Sequence, residues 1–88
     1  MSTEEEKEFF DKVGSNIRLL RHYQNLSQED LAQKSNLDRT YIGGIERGER
    51  NPTILTFKKV ADALSVPIEK ILSNDLEKNL LGIKKEKE

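Results

Sequence analysis

Apolar residues recur at helical spacing along this chain, in short segments that polar residues separate. The first stripe steps by three and four positions and comprises Phe9, Phe10, Val13, Ile17 and Leu20. This spacing places them on one face of an amphipathic helix over residues 5–24. Similar stripes predict further helices over residues 28–34, 39–46 and 54–64 and around residues 68–72. Since no segment alternates like a strand, the sequence predicts an all-α domain of five helices.

Capping residues mark where the middle helices begin. Ser27 precedes the second helix and Asp30 follows it by three residues, in the pattern of a capping box. Asp38 precedes the third helix and Thr53 the fourth, and such side chains accept hydrogen bonds from the first free backbone N–H groups. Only residues 35–38 separate helices two and three. That is the length of the turn in a helix-turn-helix, so helices two and three are predicted to form this motif.

Length and composition narrow the class of protein. With 88 residues, the chain has room for one domain, expected over residues 1–88 with an acidic arm at residues 1–8 and a charged tail at residues 75–88. It has no Cys, and its one His has no evident partner, so we expect no metal, no cofactor and no enzyme activity. No apolar run reaches the ~20 residues that span a bilayer. We therefore expect no membrane contact, and the lack of Cys fits a cytoplasmic protein.

Charge is distributed unevenly along the chain. The net charge of −1 argues weakly against a nucleic-acid partner, because domains that bind nucleic acids are usually basic. However, residues 1–12 carry five acids and two lysines, whereas residues 13–51 carry six bases and five acids. All the arginines lie in or around the predicted helix-turn-helix, at positions 18, 21, 39, 47 and 50. The acidic start of the chain thus lowers the net charge of the whole protein, although the region around the predicted helix-turn-helix is locally basic.

The third helix is predicted to present a face suited to DNA. Ile42 and Ile45 share the side that must point into the core, and the other side carries Arg39, Thr40, Gly43, Gly44 and Arg47, with Tyr41 on a flank. An Arg side chain can donate two hydrogen bonds to the O6 and N7 atoms of guanine. Thr can contact a base or a thymine methyl group, and Tyr can donate a hydrogen bond to a phosphate. Each glycine costs about 1 kcal/mol relative to alanine inside a helix. The cost is offset if the surface without side chains lets the wall of a DNA groove or the backbone of a partner approach closely. We therefore expect Gly43 and Gly44 to form an open strip on helix three.

Residues on either side of the third helix are candidates for phosphate contacts. Gln28 occupies the first position of helix two, where free N–H groups and the helix dipole favour an anion. Arg50 and Asn51 follow helix three and are placed to contact the DNA backbone. Taken singly, Arg39 is equally well explained as a solvated surface residue and Gln28 as a good helix former. Their combination with a capped turn of the right length favours DNA binding.

Residues 35–42 and 44–47 carry a family resemblance. They read Ser-Asn-Leu-Asp-Arg-Thr-Tyr-Ile and Gly-Ile-Glu-Arg. The chain resembles the lambda-repressor-like helix-turn-helix family, also called the Cro or XRE type, over about residues 13–73. Within it, the chain is most similar to the controller proteins of restriction-modification systems. Generic phage-type repressors of the XRE type share much of this motif, and an antitoxin-like module that has lost DNA binding is a further alternative.

The resemblance implies a role for each matching residue. It implies phosphate contact for Gln28, base contacts for Arg39 and Thr40, and a base or phosphate contact for Tyr41. It places Arg47, Arg50 and Asn51 on the DNA backbone or near the minor groove, and it makes Arg21 and Glu46 an ion pair between helices one and three. Where many controllers have a serine, this chain has Gly43, which puts a serine-mediated contact in doubt. Acidic residues on helix two, here Glu29 and Asp30, can contact RNA polymerase in the family, although capping also explains Asp30.

The resemblance further implies a homodimer on a palindromic operator. The sequence supports this independently, because Leu55 points away from the predicted core stripe of helix four, which comprises Ile54, Phe57, Val60, Ala61 and Leu64. Helix five offers three more apolar residues, Ile68, Ile71 and Leu72, and the small core of one chain leaves apolar surface to spare. Spare apolar surface suits a two-fold interface. The alternative is that these residues only close the core of the monomer.

Overall fold

Five helices build the part of the chain that the computed structural model describes, residues 3–76. They are α1 (Glu4–Tyr23), α2 (Gln28–Ser35), α3 (Arg39–Glu46), α4 (Ile54–Ala63) and α5 (Ile68–Leu72). No strand occurs within these residues. The predicted all-α fold of five helices is therefore confirmed, and the predicted bounds agree with the observed ones to within one residue. Most of the predicted tail, from residue 77 onward, lies outside the described residues.

The predicted caps begin the middle helices. Ser27 and Asp30 form a reciprocal box, in which each side chain accepts a hydrogen bond of 2.9 Å from the other residue's backbone N–H. The carboxylate of Asp38 accepts from the N–H of Thr40 at 3.0 Å, and the hydroxyl of Thr53 accepts from the following turn of α4. A second capping box, between Thr3 and Glu6, begins α1 and was not predicted. Residues 4–8, expected as an arm, thus form the first turns of α1.

Two asparagines and a glycine let the chain reverse between helices. Asn25 and Asn36 have φ values of 60° and 59°, in the left-handed region that Asn tolerates better than most residues. Asn36 ends α2, and its N–H bonds the carbonyl of Gln33 at 3.3 Å. Gly48, after α3, has a φ of 73°. Because Asn36 completes the turn in so few residues, α3 packs directly against α2.

The core differs from the predicted stripes at two residues. Ile42 and Ile45 are buried as expected. Ile54, predicted to belong to the core, is 68% exposed, because the first residue of α4 extends past the edge of the packed helices. Ile71, predicted at a dimer interface, is fully buried within a single chain. The reason is that α5 packs on α1, where the side-chain amide of Asn16 donates to the carbonyl oxygen of Ile71 at 3.0 Å.

Gly14 sets the distance between α1 and α3. A Cβ atom at this position would lie 2.6 Å from the carbonyl oxygen of Glu46 and still closer to that of Ile45. Real side chains do not tolerate such distances to backbone atoms. The missing side chain therefore lets the last turn of α3 rest directly on α1, which positions α3 in the domain.

Candidate nucleic-acid interface

The exposed start of α3 presents the residues predicted to read base edges. Arg39 and Thr40 are exposed, and Tyr41 is half-buried at the flank. Asp38 caps the helix just before them. On the opposite side, Ile42 and Ile45 anchor α3 in the core. A short helix is thus held by its apolar face while its polar first turn remains accessible.

A buried ion pair holds the other end of α3 against α1. The Nε of Arg21 lies 2.7 Å from Oε2 of Glu46, and its Nη2 donates to Oε1 at 3.0 Å. The two side chains are only 8% and 2% exposed. Arg21 also donates from Nη1 to the carbonyl oxygen of Leu26 at 2.9 Å, which secures the loop before α2. Such a pair orients α3, and losing one partner would leave an uncompensated buried charge that costs about 3–5 kcal/mol.

Gln28 connects this ion pair to the start of α3. Its Nε2 donates to Oε1 of Glu46 at 3.0 Å, and its Oε1 accepts from Nη1 of Arg39 at 3.2 Å. The carboxylate can only accept, so it fixes the amide nitrogen inward and turns the amide oxygen toward Arg39. The sequence predicted a phosphate contact for Gln28, or a role as a good helix former, and neither prediction included these hydrogen bonds, because the partners lie 18 and 11 residues away along the chain.

The glycine strip of α3 is covered, which corrects the expectation of an open strip. Gly43 and Gly44 are both buried. A Cβ atom on Gly43 would lie 3.2 Å from Nη1 of Arg47 and 3.5 Å from Oε1 of Gln28. One on Gly44 would lie 2.8 Å from Nε of Arg50. Long polar side chains are flexible enough to lie across a surface that has no Cβ atoms, and here they fill the strip.

The same arginines have further contacts in the chain. The guanidinium carbon of Arg50 lies 5.4 Å from the centre of the Tyr41 ring, within the range of a cation–π contact. The Nε of Arg47 lies 3.0 Å from Oε1 of Glu49, and both of these side chains are exposed. Asn51 is exposed beside them. The structure thus brings Gln28, Arg39, Thr40, Tyr41, Arg47 and Arg50 together around one helix.

Within residues 3–76, no three His, Asp or Glu side chains are grouped as metal ligands. None of the helices there combines the length and the apolar character needed to cross a membrane.

Comparison with known proteins identifies the family. The sequence model of the HTH_3 helix-turn-helix family matches residues 17–71. The chain belongs to the HTH_3 family. This family comprises helix-turn-helix regulators and is not an enzyme family. Among curated relatives, the control protein C.SmaI of Serratia marcescens is 46% identical over 70 residues, which cover 80% of this chain and 83% of the relative. The control protein C.BamHI of Bacillus amyloliquefaciens is 42% identical over 60 residues, or 67% of this chain and 74% of the relative.

Solved structures show the same relationship. The controller protein C.AhdI of Aeromonas hydrophila is 44% identical, with a TM-score of 0.69 over 70% of this chain and 94% of that one. The controller protein C.Esp1396I, solved as a tetramer in complex with its natural 35-base-pair operator, is 42% identical, with a TM-score of 0.65 over 74% of this chain and 96% of that one. The resemblance to restriction-modification controllers is confirmed.

Exposed apolar surface on this HTH_3 protein lies at the start of α4. Ile54 and Leu55 are 68% and 64% exposed. Ile68 and Leu72 are half-buried and pack against the core, and Ile71 lies inside it. Of the four residues predicted at a dimer interface, Leu55 is thus the most accessible, and Ile54 joins it. Ile54 is exposed because it lies directly after the cap, where α4 does not yet contact the core.

The two acidic residues on α2 differ in their surroundings. The backbone N–H and hydroxyl of Ser27 hydrogen-bond Asp30 and lower the pKa of its carboxyl group. Glu29 is exposed and has no hydrogen bond or ion pair to another of residues 3–76. The carboxylate of Asp30 is therefore used in the cap, and Glu29 is the one available to a partner.

Proposed function

We propose that this protein is a sequence-specific DNA-binding transcriptional regulator that controls a restriction-modification system. The observation that carries the proposal is the exposed first turn of α3, with Arg39 and Thr40 beside the buried Arg21–Glu46 pair. The similar controller C.Esp1396I is a tetramer on its operator in its crystal structure. The family and the exposed residues together support DNA as the ligand of this surface.

In the proposed complex, α3 enters the major groove with its N-terminal turn. Arg39 binds the O6 and N7 atoms of a guanine through two donors, and Thr40 contacts a neighbouring base. Arg47, Arg50 and Asn51 contact the DNA backbone, and Tyr41 flanks them at a base or phosphate. The free N–H groups at the start of α2, beside Gln28, bind a phosphate. Arg47 and Arg50 leave their positions over Gly43 and Gly44 to do so, and the strip can then approach DNA.

The regulator acts as a homodimer in the cytoplasm. Ile54 and Leu55 supply the exposed apolar surface that a two-fold interface buries. Two copies of α3 then read a palindromic operator, with half-sites about one helical turn, or ~10 base pairs, apart.

DNA binding is tested by the affinity for the DNA upstream of the protein's own gene, compared with scrambled DNA of equal length, over a range of salt concentrations. Phosphate contacts release counterions, so the logarithm of the binding constant should fall with that of salt, at a slope near −0.9 per phosphate. The upstream DNA should bind more tightly at every salt concentration. Absence of binding to both DNAs would overturn the proposal and favour a protein-interaction module.

Two arginine variants separate base contacts from backbone contacts. Arg39→Ala should reduce the preference for upstream over scrambled DNA, because a bidentate guanine contact is worth about 1–3 kcal/mol of discrimination. Arg50→Ala should weaken binding to both DNAs by similar factors and reduce the salt slope by about one. Fluorescence anisotropy measures both. If the two variants lose the same preference, the assigned roles are wrong.

We further propose that Glu29 contacts RNA polymerase on an activated promoter, since its exposed carboxylate has no partner among residues 3–76. Glu29→Ala should leave DNA affinity nearly unchanged and lower transcription from that promoter in a purified system. The matched control is Gln33→Ala, at another exposed position of α2. Unchanged transcription with Glu29→Ala would contradict this contact.

A further inference from the structure

A carboxylate lies between two arginines that the proposed function assigns to the DNA backbone. Glu49 is in the loop after α3, between Arg47 and Arg50 along the chain. Its Oε1 accepts a hydrogen bond of 3.0 Å from Nε of Arg47. Nη1 of the same arginine lies across Gly43, 3.2 Å from the point where a Cβ atom would stand. Glu49 therefore holds this guanidinium group along the surface of α3.

The backbone fixes the position of Glu49 at the end of α3. Its N–H donates to the carbonyl oxygen of Gly44 at 2.9 Å, and the N–H of Gly48 donates to that of Ile45 at 3.0 Å. The two bonds form a Schellman motif, which the left-handed φ of 73° at Gly48 permits. Gly48 also packs on α1, since a Cβ atom there would lie 3.1 Å from the backbone nitrogen of Asp11. The carboxylate is thus kept beside Arg47 by the fold itself.

Helix stability does not explain an acidic residue at this place. The last carbonyl groups of a helix carry partial negative charge, so a cation is favoured beside them and a carboxylate is not. The side chains of Arg47 and Glu49 are 59% and 60% exposed, and such exposed ion pairs contribute little to stability. A negative charge here also opposes the approach of phosphate. The consequence of Glu49 that remains is its hold on Arg47.

We propose that Glu49 competes with DNA phosphate for Arg47 and thereby limits the affinity of the protein for DNA of any sequence. This inference rests on the proposed function, in which Arg47 contacts the DNA backbone. In the free protein, the carboxylate takes a donor that a phosphate oxygen would otherwise take. The ion pair must break before the phosphate contact forms, and it opposes binding to every DNA alike.

The competition gives base contacts a larger share of the binding. Phosphate contacts supply essentially all of the non-specific binding to DNA, whereas base contacts carry the sequence preference. A carboxylate that occupies one of the backbone-contacting arginines weakens the first kind of contact. Arg39 and Thr40, at the other end of α3, keep the second kind.

Glu49→Gln tests the competition, because it removes the charge and keeps the size of the side chain. Fluorescence anisotropy should show tighter binding to the upstream and the scrambled DNA, by a similar factor of about 1.5–5, the range that matches the strength of an exposed ion pair. The salt slope should steepen by about 0.9, since the released Arg47 neutralises one more phosphate. A changed preference between the two DNAs would show that Glu49 reads a base and would overturn the proposal.

The matched control removes the same charge far from α3. Glu69→Gln does so at an exposed position of α5, which packs on α1 and α4, and it should leave both affinities nearly unchanged. An equal gain with Glu69→Gln would show that net charge alone sets the affinity, against the proposal. Thermal unfolding followed by circular dichroism should give similar midpoints for both variants and the unsubstituted protein, because neither substitution removes a backbone hydrogen bond.

A double variant separates competition for Arg47 from simple repulsion of phosphate. In an Arg47→Ala background, Glu49→Gln should lose most of its effect on affinity, because no guanidinium group is left to release. Repulsion alone predicts the same gain in both backgrounds, and that result would overturn the proposal.

The same measurements distinguish a failure of this inference from a failure of the proposed function. If the unsubstituted protein binds the upstream DNA and Glu49→Gln binds no more tightly, the competition is wrong and the proposed function stands. If neither protein binds either DNA, the proposed function fails and the competition fails with it.

Discussion

At the scale of single residues, Gly14 and the Arg21–Glu46 pair position α3, the helix that we propose to bind DNA. A glycine within a helix suggests local weakness from sequence, because it costs about 1 kcal/mol relative to alanine. In the structure, the same glycine admits the carbonyl oxygens of Ile45 and Glu46 against α1. The adjacent ion pair then fixes the orientation of α3, because two nitrogen atoms of Arg21 donate to the two carboxylate oxygens of Glu46. A locally unfavourable residue is thus compensated by a tertiary contact.

Substitution of Gly14 tests this contact. Gly14→Ala should lower the free energy of unfolding by about 1–3 kcal/mol, because the added methyl group forces two backbones apart. Helix propensity alone would raise stability by about 1 kcal/mol, so the two explanations predict opposite signs. Urea denaturation followed by circular dichroism measures the change. Ser15→Ala, at the neighbouring exposed position, is the control and should change stability little. A stabilised Gly14→Ala protein would refute the close contact.

At the scale of elements, the two helices of the helix-turn-helix, α2 and α3, are too short to be stable alone. Both α2 and α3 have eight residues, whereas isolated helices below about 12–15 residues are marginal in water. Their starts are therefore secured by caps, and their apolar faces by the core. The capping box at Ser27 links the stability of α2 to the ionisation of Asp30.

The pH dependence of stability should show this link. The hydrogen bonds from Ser27 lower the pKa of Asp30 in the folded protein, so the ionised form stabilises the fold above about pH 4. That stability is lost as the pH falls through the lowered pKa. Asp30→Asn should thus lower the thermal midpoint at pH 7, and the difference from the unsubstituted protein should shrink towards pH 2.

The control for this prediction removes a charge from the same turn without removing a cap hydrogen bond. Glu29→Gln does so, and it should change the midpoint less than Asp30→Asn at pH 7. A constant difference between Asp30→Asn and the unsubstituted protein from pH 7 to pH 2 would show that the cap does not depend on ionisation.

At the scale of the whole molecule, exposed apolar surface at α4 has no partner within residues 3–76. Ile54 and Leu55 expose about two thirds of their surface each. Single exposed apolar residues are ordinary, but two adjacent large ones at a helix start are typical of an interface. Since Ile71 closes the core of one chain, the dimer we propose must use the start of α4 rather than the buried side of α5.

A charge introduced at this surface tests the dimer. Leu55→Lys should shift the protein toward monomer at micromolar concentration in sedimentation equilibrium, because burying an unpaired charge at the interface is costly. It should also weaken binding to a palindromic operator more than to a single half-site. The control is Gln33→Lys, which introduces the same charge at an exposed position of α2 and should leave the sedimentation unchanged. If Leu55→Lys sediments as a dimer, the interface lies elsewhere.

Features that depend on near neighbours along the chain were predictable from the sequence. Caps at Ser27, Asp38 and Thr53 act within one helical turn, and apolar spacing identifies a helical face without reference to the rest of the chain. The number and bounds of the helices, and the residues at the start of α3, could therefore be predicted. The family motif lies within one such local stretch, residues 35–47.

Contacts between residues far apart in the sequence became known only from the packed helices. Ile54 and Ile71 both belong to apolar stripes, but Ile54 extends past the packed helices and Ile71 faces α1. Asn16 finds its partner 57 residues away, and Gln28 joins an ion pair made by two other helices. Gly43 and Gly44 are covered because side chains from α2 and the loop after α3 reach them. Burial and side-chain pairing are properties of the assembled helices, and a local pattern does not contain them.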